Sequence, residues 1–130
     1  MGMPAAKEGD KILATDIHIV MIPSPSGQIP TPLPNPFVGS IDGSLSQNVK
    51  IMGKQAATVN STATNSPSHI PQGGNFQKQP SNKAKILIGS PTVKINGKMA
   101  ARNGDTAMTC NDPSDMPLGK VIATGTVYIG

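Results

Sequence analysis

The sequence predicts an all-β domain in which three quasi-equivalent β-hairpins gather about one axis, joined by long irregular loops. Three observations point there. The chain has 14 glycines and 13 prolines in 130 residues, which leaves either a turn-rich β protein or a loose chain. Residues 93–101 (VKINGKMAA) restate residues 49–57 (VKIMGKQAA) at seven of nine positions, and internal repetition of this kind marks a repeated structural unit. No segment carries a helical pattern of useful length.

The elements follow in chain order. Pro4-Ala5-Ala6-Lys7-Glu8-Gly9-Asp10 aligns with Met99-Ala100-Ala101-Arg102-Asn103-Gly104-Asp105 and supplies the second half of one unit. Residues 22–37 hold six prolines; they exclude a helix and suggest an extended, polyproline-like surface segment within an insert over about 21–48. The first complete unit follows: Val49-Lys50-Ile51 alternates apolar and polar as a half-buried strand does, and Met52-Gly53 makes a turn. Residues 60–82 are rich in Asn, Ser, Thr, Gln and Gly and read as a long polar loop, within a second insert over about 60–84. In the next unit Asn96-Gly97 is a strong type I′ hairpin signal, because both central residues need positive φ. The paired alanines of each unit suggest a place where neighbouring backbones come close. Thr126-Val127-Tyr128-Ile129 aligns with Thr92-Val93-Lys94-Ile95, so the two chain ends together would complete a third unit. The spacing between copies drifts, which argues against a solenoid of fixed period and leaves residues 1–130 as one domain.

Composition excludes several classes of function. The net charge is +4 with 14% charged residues, too diffuse for a DNA clamp. One Tyr, two Phe and no Trp cannot build a stacking platform for single-stranded nucleic acid, so no nucleic-acid partner is expected. No stretch is long and apolar enough to span a bilayer as a helix, and no apolar run near the start suggests a signal peptide. The single cysteine, Cys110, excludes an internal disulfide and suits synthesis in a reducing cytoplasm. Catalysis is not expected: Cys110, His69 and Asn111 could be drawn as a nucleophilic set, but no Gly-rich elbow accompanies them.

The segments PAAKEGD (4–10), GSPTVKINGKMAARNGD (89–105) and GTVYIG (125–130) resemble the proline-alanine-alanine-arginine (PAAR) repeat proteins. The long inserts and PTPLPNPF are similar to versions found in phage-tail-derived contractile injection particles. The resemblance implies a small cone with pseudo-threefold symmetry that caps and sharpens a trimeric spike of the valine-glycine-repeat or phage-hub type, with a structural zinc near the apex. It implies one copy per trimer, a target membrane pierced on contraction, effector cargo on some members, and assembly at the tip of a particle that leaves the bacterial cytoplasm without a signal peptide. The chain departs from the family pattern in Lys7, where Arg is usual, and in the middle copy, which lacks the Pro, Arg and Gly-Asp signature. The family's site uses three His and one Cys, whereas this chain has two His in total.

His18, His69 and Cys110 are the candidate ligands. His18 lies eight residues after Asp10, His69 eight after Ser61, and Cys110 five after Asp105, so each arm contributes one soft or borderline donor after its return strand. On a threefold body these loops converge. Imidazole and thiolate suit a single structural Zn2+, with iron the less favoured alternative. For the fourth ligand Asn35, Asp16, Asp112 and water remain open.

Spike docking is expected at the broad base, through Val49, Ile51, Val93, Ile95, Val127 and Ile129, by strand edges and apolar side chains. The repeated Lys50, Lys54, Lys94 and Lys98 read as a solvent face that guards strand edges. Two alternatives to a spike tip are a zinc-stabilised adaptor that loads toxin and a zinc-dependent hydrolase.

Overall fold

A computed structural model describes residues 2–130. Along the chain lie β1 (Met3–Pro4), β2 (Lys11–Ser24), β3 (Gly27–Gly43), β4 (Lys50–Ile51), β5 (Lys54–Gln55), β6 (Thr62–Asn65), β7 (Asn75–Phe76), β8 (Lys83–Ile86), β9 (Lys94–Ile95), β10 (Lys98–Met99), β11 (Thr106–Thr109), β12 (Met116–Ile122) and β13 (Tyr128–Ile129). There is no helix among the described residues.

Three hairpins, β2–β3, β6–β8 and β11–β12, pair side by side in the order β12-β11-β8-β6-β3-β2. The further pairing of β12 with β2 closes this sheet into a six-stranded antiparallel barrel. Closure removes the free edges that an open sheet would expose. At one end sit three smaller hairpins, β4–β5, β9–β10 and β13–β1. The last is made from the two chain ends, with Met3 opposite Ile129 and Pro4 opposite Tyr128, so the termini supply the third arm. The other two turn through Met52-Gly53 (φ 52° and 84°) and Asn96-Gly97 (φ 55° and 80°), the left-handed pair that a type I′ turn requires.

The arms are tied by a closed ring of backbone hydrogen bonds. Ala6 N–H donates to Ala101 C=O (2.9 Å), Ala101 N–H to Ala57 C=O (3.0 Å), and Ala57 N–H to Ala6 C=O (3.0 Å). A second ring has Glu8 donating to Gln55, Val59 to Met99 and Asn103 to Pro4. Such close approach leaves room only for small side chains, which is why each arm carries paired alanines; all six are 0–2% exposed. Above them Ile12, Ala63 and Ala107, with Ile41, Ile86 and Val121, fill the barrel. Below them Ile51, Ile95 and Ile129 pack with Ala5, Ala56 and Ala100 as a second cluster.

The degenerate middle arm keeps the geometry. In the outer arms an aspartate accepts the N–H three residues earlier: Asp10 Oδ2 from Lys7 (3.0 Å) and Asp105 Oδ2 from Arg102 (2.8 Å). Each also pairs with the side chain of that residue. In the middle arm Ser61 Oγ accepts the N–H of Thr58 (2.9 Å). A hydroxyl serves the same backbone donor, and the lost carboxylate is matched by a lost cation. Asn60 adopts φ 79° where the other arms have Gly9 and Gly104 at 91° and 89°; asparagine tolerates this region better than most side chains.

The insert over 21–48 departs from expectation. Residues 27–40 are not an unpaired surface segment: β3 pairs residue for residue with β2 from Lys11↔Ser40 to Ser24↔Gly27. The reason is the spacing of the prolines. In an antiparallel strand successive N–H groups point to opposite sides. Val38 N–H points away from β2, onto Asn65 Oδ1, so Pro36, Pro34, Pro32 and Pro30 also face away and the ladder to β2 loses no donor. Proline is tolerated on such an edge. The expected polar loop over 60–82 holds β6 and β7 and is otherwise irregular.

Candidate metal centre

At the end of the barrel away from the base hairpins, four buried side chains converge: Asp16 and His18 from β2, His69 from the loop after β6, and Cys110 directly after β11. One donor atom from each lies within 4.8 Å of all the others. Alternation along β2 places Asp16 and His18 on one face, and the barrel brings the other two strands' ends beside it. His69 Nε2 is 2.9 Å from Asp16 Oδ2, Cys110 Sγ is 3.5 Å from the same oxygen, and His18 Nε2 is 3.7 Å from Cys110 Sγ.

Asp16 and His69 are hydrogen-bonded from behind, and His18 has a carboxylate behind it. Thr109 Oγ1 donates to Asp16 Oδ1 (2.6 Å) and Asn111 Nδ2 lies 3.4 Å from it. Asn65 Oδ1 accepts from Val38 N–H, so its amide nitrogen faces His69 Nδ1 at 3.3 Å and His69 presents Nε2 to the cluster. Asp112 Oδ2 accepts Ile19 N–H (2.8 Å) and stands 3.6 Å from His18 Nδ1, a buried nitrogen with no closer polar partner. The two imidazole centroids are 5.0 Å apart. The chain's two phenylalanines wall them in, Phe76 edge-on to His18 and Phe37 edge-on to His69.

Electrostatics favour a cation. Asp16 is 0% exposed, and its hydrogen-bonding partners are imidazole, hydroxyl, thiol and amide; a buried carboxylate without a countercharge is costly. Burial, reinforced by the Asp16 charge, pushes the Cys110 thiol up to about 11. Burial lowers the pKa of His18, against the opposing pull of Asp112. A divalent cation would favour the thiolate and the neutral imidazole that ligation needs. Zinc bonds of about 2.0–2.3 Å give tetrahedral ligand–ligand edges of roughly 3.3–3.8 Å, so this donor set fits the ion with small side-chain adjustments.

The structure thus brings His18, His69 and Cys110 together. Of the options for a fourth ligand, Asp16 lies in the cluster. Asp112 lies behind His18, with its carboxylate engaged by a backbone N–H. Asn35 is opposite Asp16 in the ladder but its amide donates to Leu33 C=O. Asn65 stands four residues before His69, but Thr109, Asn111 and Asp112 reach partners on β2 more than ninety residues away, so spacing did not show the roles they play behind the cluster.

The expected docking set divides. Ile51, Ile95 and Ile129 are only 6–8% exposed and are the core of the base cluster, not a free surface; strand alternation turns them inward. Val49 and Val93 flank that cluster half-buried, and Val127 is exposed. Lys50, Lys54, Lys94 and Lys98 face solvent.

A single chain built as three equivalent arms, with a buried donor cluster at the end opposite its short hairpins, defines a pseudo-threefold all-β protein. The model of the PAAR motif matches residues 21–113, and the chain belongs to that family. No curated protein matches the chain in sequence.

Proposed function

We propose that this protein is the tip of a contractile injection system of the type VI or phage-tail-like kind, seated by its base on a trimeric spike with one copy per trimer. The ring joining Ala6, Ala57 and Ala101 carries this reading. It gives one chain the threefold form that an asymmetric protein needs to fill a threefold end without leaving two sites unmatched. Membership of the PAAR motif family supports it. On this reading the work is mechanical, and the protein travels out of the producing cell with the particle.

A structural Zn2+ held by Asp16, His18, His69 and Cys110 is part of the proposal. The ion would add cross-links between strands whose shared core is mostly alanine and β-branched aliphatic, where metal binding energy becomes folding energy. Native mass spectrometry of the full chain with the trimeric spike protein of its particle tests the role. One chain per three spike chains, with no effector present, is expected; failure to bind the spike overturns it. Cargo attachment is a further property of the same reading, and addition of an effector to that complex tests it.

A further inference from the structure

Asn82 directly precedes β8 and is only 8% exposed. Its side-chain oxygen accepts two hydrogen bonds, one from the His69 N–H (2.8 Å) and one from Asn65 Nδ2 (3.0 Å). Its backbone carbonyl accepts the N–H of Asn65 (2.8 Å). The amide nitrogen of Asn65 has a second hydrogen, and it lies 3.3 Å from His69 Nδ1. One side chain thus ties down the backbone of His69 and also the amide that sets its ring. The N–H of Asn82 and the hydroxyl of Ser81 face the Cys110 sulfur as donors. His69 follows β6 and Cys110 follows β11, so Asn82 connects ligands that come from two different arms.

Two demands fix the residue type at this position. The backbone is left-handed there, with φ 57°; glycine takes that conformation freely, and asparagine and aspartate tolerate it better than other side chains. The side chain must also present an oxygen with two acceptor sites. Glycine meets only the first demand, alanine meets neither, and aspartate meets both. Without the oxygen, the buried N–H of His69 and one hydrogen of the Asn65 amide lose their acceptor together. A buried donor without a partner is costly, so the His69 backbone would turn to find another and carry the imidazole with it.

We propose that Asn82 is a positioning residue of the metal centre: its side chain fixes His69 and its backbone faces Cys110, so that imidazole and sulfur reach one ion. The inference rests on the Zn2+ site proposed above. It goes beyond that site in assigning control of affinity and geometry to a residue that ligates nothing.

Competition with a zinc indicator measures affinity in the full chain. Co2+ in place of zinc reports the ligands separately, through a thiolate-to-metal charge-transfer band and the d–d bands of a tetrahedral centre. Asn82→Gly keeps the left-handed backbone and the N–H toward Cys110 but removes the acceptor for His69. It should bind zinc about 10–100-fold more weakly than wild type, keep the thiolate band and change the d–d bands. Asn82→Asp, with the oxygen back in place, should recover the wild-type d–d bands and most of the affinity. Circular dichroism of the metal-free proteins reports whether each variant keeps the fold. An Asn82→Gly protein with wild-type affinity and bands overturns the proposal. So does an Asn82→Asp protein whose bands match those of Asn82→Gly. Should Asn82→Gly fail to fold, Asn82→Asp decides: wild-type bands support the proposal and any other spectrum overturns it. Wild type that binds neither ion would instead sink the metal centre itself, so the two readings fail separately.

Discussion

The N–H of Ala57 lies 3.0 Å from the carbonyl of Ala6, although the two residues sit in different arms. With Ala101 they close a ring in which each alanine donates to one neighbour and accepts from the other. No Cβ larger than a methyl fits such an approach without moving an arm.

Leucine at any one of Ala6, Ala57 or Ala101 should therefore destabilise the fold by about 1–3 kcal/mol, the usual cost of overpacking. The three losses should be alike, because the positions are equivalent and each is 0% exposed. Chemical denaturation of the three single variants checks this. A large loss at one position alone would contradict the threefold equivalence.

Ser61→Ala removes the acceptor for Thr58 N–H and the donor to Ser44 C=O at a fully buried site. A loss of about 1–3 kcal/mol is expected, since a buried donor and a buried acceptor lose their partner. Denaturant midpoints against wild type measure it. An unchanged midpoint would mean that Ser61 does not stand in for Asp10 and Asp105.

Purified protein should carry one equivalent of zinc by elemental analysis. Asp16→Ala, His18→Ala, His69→Ala and Cys110→Ala should each lose it and melt at lower temperature. Chelator treatment of wild type should lower its melting temperature in the same direction, because the ion binds the folded state. Metal-free protein of full stability would refute the centre.

Asp112→Asn keeps an acceptor for Ile19 N–H but removes the charge beside His18 Nδ1. It should weaken zinc binding about 10–100-fold while leaving the stoichiometry at saturation unchanged. Asn65→Asp should act the other way: ligation through His69 Nε2 puts the proton on Nδ1, and an oxygen there would accept it. Competition with a zinc indicator measures both. Equal affinities in the two variants and wild type would remove these residues from any supporting role.

Much of the architecture was legible in the repeat itself. The near-identity of 49–57 and 93–101, and the split copy at the two ends, implied three hairpins around an axis; Asn96-Gly97 specified its turn; the alanine pairs marked close backbones. These are local signals, set by φ preference, side-chain alternation and side-chain size. The grouping of His18, His69 and Cys110 was inferred from their offsets within the arms. The choice among Asp16, Asn35 and Asp112 was not legible, because it depends on Asp112 being taken by the N–H of Ile19 in a distant strand and on the Asn35 amide turning to the Leu33 carbonyl. The β2–β3 pairing had a signal that composition obscured. A count of prolines suggests an unpaired segment, whereas their alternation at 30, 32, 34 and 36 is the period of a strand with one donor-free edge.

The sequence by itself determined the number of arms, their turns and the small residues where they meet, since each follows from local chemistry repeated in order. Only the tertiary structure decided that the barrel closes through β12 and β2, that Asp16 faces the cluster while Asp112 stands behind it, and that the base isoleucines point inward. Those outcomes depend on strand register across long separations, where a shift of one residue turns every side chain to the opposite face.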